Sequence, residues 1–344
     1  MTILVTGGAG FIGSNFILEW LAHSSEPVVN LDKLTYAANA GSLAALAGDN
    51  RYTLVRGDVC DRDLVSALLK EHKPRALINF AAESHVDRSI SGPSLFIQTN
   101  LVGTFELLEA MRQDWTDRGK DQGFRFIHVS TDEVYGSLED EDAPVTEGHP
   151  YRPNSPYSAS KAGSDHLARA YGQTYGLPVL ITNCSNNYGP RQHPEKLIPL
   201  TICNALQGKP LPVYGTGSNI RDWLYVSDHC GAIRAVLEHG ECGETYNVGA
   251  ANEARNIDVV REICALLDEM APSPRRGGHA ELITFVEDRP GHDFRYALCA
   301  DKISETLGWR PAESFETGLR KTVRWYLDNQ AWVRAAMQGE DVPT

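Results

Sequence analysis

Thr6-Gly7-Gly8-Ala9-Gly10-Phe11-Ile12-Gly13 is the stretch that decides the fold. It follows a short apolar run, Ile3 to Thr6, and opens a helical pattern from Phe11 to Ala22. It reads as G-x-x-G-x-x-G on Gly7, Gly10 and Gly13, and as G-x-G-x-x-G on Gly8, Gly10 and Gly13. The first glycine permits the tight turn, the middle ones let backbone N–H groups approach a pyrophosphate, and the last lets helix and strand pack closely. The helix N-terminus adds partial positive charge. Asp32 ends the next strand, 19 residues after Gly13. A carboxylate there accepts from both ribose hydroxyls and repels a 2′-phosphate, so the expected cofactor is NAD rather than NADP. Lys33 argues the other way, since an ammonium beside Asp32 can partly neutralise it.

Outward from this turn, two hydrophobic periods alternate. Strands are predicted at Pro27–Asp32, Arg51–Arg56, Ala76–Phe80, Phe124–Ser130 and Pro178–Asn183. Helices are predicted at Asp61–Glu71, Leu95–Arg112 and Tyr157–Tyr175. Short apolar runs between longer helical patterns mean a parallel sheet covered on both faces. The fold class is therefore α/β, a doubly wound parallel Rossmann-type sheet with its ligand at the carboxyl ends of the strands. After about residue 184 proline and glycine become frequent and the runs shorten, as expected of a smaller C-terminal substrate-binding lobe. A helix near Ser227–Glu238 and a strand Thr245–Val248 return to the sheet. The expected division is 1–183 plus about 221–249 for the cofactor domain, and about 184–220 plus 250–344 for the second lobe.

Composition narrows the function class. The 344 residues are 42% hydrophobic and 22% charged, ordinary for a globular protein and enough for a large core. Lys plus Arg total 32 against 45 Asp plus Glu, a net charge of −13, which argues against a nucleic-acid partner. A few local arginines can still dominate one cleft for an anionic ligand. The seven cysteines form no CxxC pair and no zinc spacing, so no metal is expected. The N-terminus enters a strand at once, without a signal-like segment, and no apolar run approaches the ~18 residues of a membrane helix. A soluble cytoplasmic protein without a membrane partner is expected.

Asp58 and Val59 follow the third strand, where an adenine edge would lie. A carboxylate there can accept from the adenine amino group. Capping the next helix is the other reading, although Asp61 fits that role better. The small residues of Ala81-Ala82-Glu83-Ser84 would admit backbone close to a cofactor, and helix packing alone would also explain them. The fifth strand runs into Ser130-Thr131-Asp132-Glu133, and acids at such an end are costly unless solvated or functional. Then Tyr157-Ser158-Ala159-Ser160-Lys161 opens a helix, with Tyr and Lys on one face. In isolation this spacing describes a surface pair. Beside the glycine turn and the acidic strand end it describes a base, whose phenolate must gain about 4 kcal/mol to form near neutrality. Lys161 and the positive ring of NAD⁺ are expected to supply that shift.

These residues resemble the extended short-chain dehydrogenase/reductase family, from Thr2 to about Trp332. The likeness rests on the glycine turn, Phe80–Ser89, Ser130–Gly136, Tyr157–Lys161, Asn186–Gln192 and Asp288–Asp293. It implies dehydration of a nucleotide sugar, dTDP-glucose, to a 4-keto-6-deoxy sugar with bound NAD. Tyr157 would take the 4-hydroxyl proton, Glu133 the C5 proton, and Asp132 would protonate the leaving 6-hydroxyl. Thr131 would bond the sugar near O4, and Lys161 the nicotinamide ribose. The implied cofactor contacts are Gly7, Gly10, Phe11, Ile12, Gly13, Asp32, Lys33, Leu34, Thr35, Asp58, Val59, Phe80, Ala81, Ala82, Ser84, Thr99, Tyr157, Lys161 and Asn187. The implied substrate contacts are Ser84, Thr131, Asn186, Lys196, Leu197, Pro212, Tyr214, Arg221, Asn256, Arg289 and His292. The guanidinium forks of Arg221 and Arg289 suit a diphosphate. Helices 95–112 and 157–175 carry apolar stripes beyond the needs of the sheet, and the resemblance implies that they pair into a homodimer. A 4-epimerase, a UDP-glucuronate decarboxylase and an NAD-sensing binding protein are the alternatives. Asp132 with Glu133 argues against an epimerase, and Tyr157 with Lys161 against a degenerate site.

Overall fold

Seven parallel strands, in the order β3-β2-β1-β4-β5-β6-β10, make the main sheet of the computed structural model, which describes residues 1–121 and 123–338. The strands are β1 (Ile3–Thr6), β2 (Val28–Asp32), β3 (Tyr52–Arg56), β4 (Ala76–Asn79), β5 (Arg125–Thr131), β6 (Val179–Cys184) and, after three strands of the second lobe, β10 (Thr245–Val248). Ile3 pairs with Val28 on one side and Ala76 on the other, so the order of winding reverses at β1 and opens a crevice between β1 and β4. This is the doubly wound Rossmann-type order expected from the alternating periods.

Strand alternation sorts the core into two layers. Ile3 and Val5 face one side with Phe16, Ile17 and Trp20 of the Phe11–His23 helix and Ile233 and Val236 of the Val226–His239 helix. Leu4 faces the other with Leu69 of the Arg62–His72 helix, Leu108 and Met111 of the Gly103–Asp117 helix, and Ala168 of the Pro156–Tyr175 helix. Each such fully buried aliphatic side chain contributes about 1.5–3 kcal/mol. The Pro156–Tyr175 helix starts sharply because Ser155 and Ser158 cap each other's backbone and Pro156 sits in its first turn. That start places Tyr157 in the first turn and Lys161 in the second, both buried.

The second lobe has two small sheets. One orders β11 (Glu253–Arg255), β9 (Ile220–Tyr225) and β7 (Asn186–Tyr188); the other pairs β12 (Ile283–Val286) with β8 (Leu211–Tyr214). They pack with the Leu197–Leu206, Asn256–Met270 and Phe315–Asp328 helices around Ile202, Val260 and Tyr326. Two stretches sit with the other lobe than expected. Residues 221–225 belong to β9, hydrogen-bonded to β7 and β11, so the return to the main sheet begins at Val226. The Asp301–Leu307 helix and Trp309 pack on the main core through Ile303. Residues 339–344 of the expected second lobe lie outside the described residues.

The segment expected as one helix over 95–112 is composite. It runs as α-helix over Pro93–Phe96, as π-helix over Ile97–Val102 and as α-helix over Gly103–Asp117. The reason is tertiary: Asn100, inside the π turn, accepts from the Glu83 backbone N–H and donates to the Glu83 carbonyl and the Ser160 hydroxyl. A 3.6-residue hydrophobic period carries no trace of such a turn.

Gly13 shows how tightly the first turn packs. A Cβ there would lie 2.5 Å from the Gly7 carbonyl oxygen and 2.7 Å from the Gly8 Cα, both backbone atoms that cannot swing aside. Gly13→Ala should therefore lose about 1–3 kcal/mol of stability, read as a lower melting temperature, and should copurify with less dinucleotide. An unchanged melting temperature would show that the helix can slide away from the strand.

Candidate active site

The glycine turn is pinned by its neighbours. Gly7 has φ +71°, Gly8 N–H donates to Asn30 Oδ1 (3.0 Å), and Ala9 N–H donates to Asp32 Oδ2 (2.8 Å). A Cβ on Gly7 would stand 2.6 Å from the Ala81 nitrogen, at the end of the neighbouring strand. Gly10 caps the Phe11–His23 helix without any side-chain bond, so the helix's first N–H groups stay available to an anion. The turn opens into a cleft of about 300 Å³ at the strand ends. Every residue assigned to the cofactor from sequence lines this cleft except Leu34. Leu34 has φ +54° and faces an adjoining cavity of about 230 Å³ with Arg56 and Arg191.

The donor set fits NAD. Asp32 is buried, and each of its oxygens takes one backbone N–H, from Ala9 and from Leu34. Second lone pairs on those oxygens remain for ribose hydroxyls. Lys33 does not neutralise Asp32: its ammonium lies 2.7 Å from Asp58 Oδ2. Burial pushes the Asp58 carboxyl up, but the Lys33 and Cys60 hydrogen bonds outweigh it and hold Asp58 below the usual range. Asp61, as expected, caps the Arg62–His72 helix, accepting from Leu64 N–H.

The carboxylates lie at the far end of the same cleft. Thr131 ends β5, its hydroxyl accepts from Glu133 N–H, and a single 3-10 turn, Asp132–Tyr135, follows. The Thr131 hydroxyl also donates to Asp132 Oδ1 (3.3 Å), while Asp132 Oδ2 is buried without a partner among the described residues. Burial, then the Glu133 charge, then Asp222, push the Asp132 carboxyl well above the ordinary range. Glu133 is also pushed up by burial, but Arg289, Arg221 and Lys196 pull against it. Burial thus raises both neighbouring carboxyls, but one cation, Arg221, opposes it at Asp132 and three oppose it at Glu133.

Tyr157 departs from expectation. Burial first, and the Glu133 charge second, push its phenol well above the ordinary value, although the Thr131 hydrogen bond pulls it down. Lys161 donates to the Val129 carbonyl (2.8 Å) and is itself pushed down by burial. The protein alone therefore favours the neutral phenol.

Of the residues assigned to substrate, Ser84, Thr131, Asn186 and Lys196 line the cleft. Lys196 caps the Leu197–Leu206 helix and donates across to the Ser84 carbonyl (2.6 Å), tying the lobes together. Leu197, Pro212, Tyr214, Arg221, Asn256, Arg289 and His292 lie outside that wall. Tyr214 and Arg289 converge on Asp87, at 2.9 Å and 3.2 Å. His292 is bonded to Asp288 and meets the Tyr214 ring edge-on. Pro212 shares the exposed face of β8 with Tyr214, and Asn256 keeps a buried carbonyl oxygen without a partner. Arg221 is buried, and the carbonyls of Ile220, Asp293 and Phe294 take three of its five N–H donors. It still acts on Glu133 through its charge. Asn187 donates to the Ser185 carbonyl and is backed by His229.

Sequence reasoning missed Asp87, Gln192, His193 and Glu195. Asp87 lay inside the quoted Phe80–Ser89 stretch, and Glu195 directly precedes Lys196. Glu195 lies 3.4 Å from Arg88 and accepts from the Tyr36 hydroxyl, contacts between segments far apart in the chain. Among the described residues no cluster of three His, Cys, Asp or Glu side chains suits a metal ion, and no helix is long and apolar enough to cross a membrane.

Comparison with known proteins gives consistent matches. The family model described as GDP-mannose 4,6 dehydratase matches residues 4–322. A dTDP-glucose 4,6-dehydratase of Xanthomonas campestris is 60% identical over 341 residues, covering 98% of this chain and 96% of the relative. One from Escherichia coli is 55% identical over 349 residues, with the same coverage of each chain. The crystal structure of the dTDP-glucose 4,6-dehydratase DesIV from Streptomyces venezuelae, with NAD and TYD (dTDP) bound, superposes with a TM-score of 0.89 at 47% identity, covering 98% of this chain and 100% of that one. A UDP-glucose 4-epimerase of Thermus thermophilus with NAD superposes at 0.83 and 31% identity, covering 96% and 100%.

The field at Asp132 has a measurable consequence. An acid whose pKa is raised by folding contributes its full stability below its unfolded value of 3.8, and loses it as pH rises toward the folded value. Asp132→Asn removes that loss. It should melt above the parent protein at about pH 8, with the gap closing toward about pH 4. A gap independent of pH would mean that Asp132 is ionised in the folded protein.

Proposed function

The chain belongs to the GDP-mannose 4,6 dehydratase family, and from its site we infer an enzyme that dehydrates dTDP-glucose with bound NAD. The product is dTDP-4-keto-6-deoxyglucose, a precursor in deoxysugar biosynthesis. One observation carries the reading. Asp132 and Glu133 stand side by side in one turn, in unequal fields, in the same cleft as Tyr157, Lys161 and the glycine turn.

Bound NAD supplies the hydride acceptor at C4 and the hydride returned to C6. The turn around Gly8 and Gly10, at the open helix N-terminus, holds its pyrophosphate by backbone approach, and Asp32 accepts from its adenine ribose. Tyr157 removes the proton of the 4-hydroxyl. Its phenol must come down from the raised value set by burial and Glu133, and the Lys161 ammonium on the same helix face, with the positive ring of NAD⁺, acts in that direction. Oxidation at C4 makes the C5 proton acidic. Glu133, made more basic by burial while Arg289, Arg221 and Lys196 favour its ionised form, removes that proton. Asp132, kept protonated by burial and by Glu133, gives its proton to the departing 6-hydroxyl. Thr131 positions the sugar near O4 and orients Asp132. Arg289 and Tyr214, now held on Asp87, are placed to take the diphosphate and the base when substrate displaces that carboxylate.

The assembly is a homodimer built on the 95–112 and 157–175 segments. Support comes from Leu95 and Ile97, exposed by 48% and 41% at the start of the first segment, and Tyr175, exposed by 46% at the end of the second. Large exposed apolar side chains on both segments support an interface there. The setting is the cytoplasm, a reading supported by cysteines that all stand as free thiols.

Separating oxidation from elimination tests the reaction. The double variant Asp132→Asn, Glu133→Gln should still oxidise C4, accumulate reduced nicotinamide absorbance and cease to exchange the C5 hydrogen with deuterated water. Its turnover should fall by at least ~10²-fold. Tyr157→Phe should lose activity without that absorbance. Parental turnover and exchange in the double variant would point to epimerase-like chemistry instead. For the assembly, Leu95→Asp with Ile97→Asp should sediment at half the parent's mass, and an unchanged mass would place the interface elsewhere.

A further inference from the structure

Lys161 is a buried ammonium whose hydrogen bond goes to a neutral carbonyl, Val129. A buried charge requires a partner charge or dense hydrogen bonding. One helical turn further on the same face stands Asp165, 2% exposed and in none of the roles above. Its Oδ2 accepts from the hydroxyls of Ser130 (2.8 Å) and Tyr151 (3.0 Å) and from the Asn183 amide (3.1 Å). Its Oδ1 lies 3.2 Å from His128 Nε2. Three donors on one oxygen, from two strands and a loop, with His128 beside the other, are the surroundings of a carboxylate, not of an acid. The same Asn183 amide donates to the Thr131 carbonyl (3.2 Å), directly before the catalytic carboxylates.

The donors assign the protons of the row behind it. Thr6 Oγ1 donates to Asn79 Oδ1 (2.6 Å), so the Asn79 amide nitrogen faces His128 Nδ1 (3.3 Å). The imidazole, kept neutral by burial and then by Lys161, accepts there and directs its Nε2–H toward Asp165 and Ser164. Thr6 directly precedes Gly7. The row therefore joins the strand ending in the glycine turn to the strand ending in the carboxylates.

We propose that Asp165 is a positioning residue of the dehydratase: it is the buried counter-ion of Lys161, and through Ser130 and Asn183 it fixes the strand end that carries Thr131, Asp132 and Glu133. The proposal rests on the assignment of Lys161 and the two carboxylates above. Asp165 is the acid whose charge acts on Lys161 from its own helix. The Cys184 thiol faces Lys161 from β6 and His128 from β5, and burial keeps both neutral. Among the described residues, Asp165 is the carboxylate whose charge acts on Lys161.

The test uses the NAD-loaded enzyme and dTDP-glucose. Asp165→Asn keeps the size and most of the bonds but removes the charge. Lys161 then loses its proton at lower pH, so the alkaline limb of the kcat profile should move to lower pH. The value of kcat at its optimum should fall on the order of 10–100-fold, with KM little changed. Tyr151→Phe deletes one donor to the carboxylate and should move the limb the same way by less, and it stands in if Asp165→Asn does not fold. Asp165→Glu, which restores the charge, should return the limb toward the parent. A lowered melting temperature with an unmoved limb in both variants would overturn the proposal and leave Asp165 a structural residue. If instead the Asp132→Asn, Glu133→Gln enzyme turned over like its parent, the underlying assignment would fail, whatever Asp165 does.

Discussion

The polar side chains where the parallel strands end side by side must satisfy one another without water. Thr6, Asn79 and His128 do so in a single row of hydrogen bonds across β1, β4 and β5. Each sits at or near the end of its strand, just before the glycine turn, the small-residue loop at Phe80 and the carboxylate turn. Buried polar groups of this kind are costly when unpaired and rigid when paired. The cleft above them inherits that rigidity. The glycine turn can dispense with side chains because Asn30 and Asp32 hold its backbone from the next strand.

What distinguishes this cleft chemically is a difference in field between adjacent residues. Asp132 and Glu133 share one turn and one degree of crowding, yet face different neighbours. All three cations that oppose burial at Glu133 come from the second lobe: Lys196 before its first helix, Arg221 on β9, and Arg289 in the loop after β12. Asp222, the residue after Arg221, adds instead to the pressure on Asp132. Arg221 acts on both carboxyls, so the difference between them comes from Arg289 and Lys196 at Glu133 and from Asp222 at Asp132. The acid–base asymmetry is a property of the two lobes together.

Contacts across the cleft are few and polar. Lys196 reaches the Ser84 carbonyl, and Asp87 holds Tyr214 and Arg289 from the opposite lobe. A carboxylate on the guanidinium is a good mimic of a phosphate oxygen, so the lobes are held near the spacing that an anionic ligand requires.

Local pattern decided much by itself. Alternating periods determine a parallel doubly wound sheet, because a strand covered on both faces must be apolar throughout. Glycine spacing determines a dinucleotide turn, because a Cβ at Gly7 or Gly13 would collide with backbone. Tyr157 and Lys161 share a helix face by arithmetic alone. Tertiary structure decided the rest, because charges and hydrogen bonds act between segments far apart in the chain. The π turn around Asn100 exists for Glu83 and Ser160. Lys33 serves Asp58 rather than Asp32. Arg221 gives three of its donors to carbonyls. The Tyr157 phenol is raised because burial and Glu133 outweigh the Thr131 hydrogen bond. Spacing along a chain tells which side chains can meet within one element, and only packing tells which charge each one faces in the end.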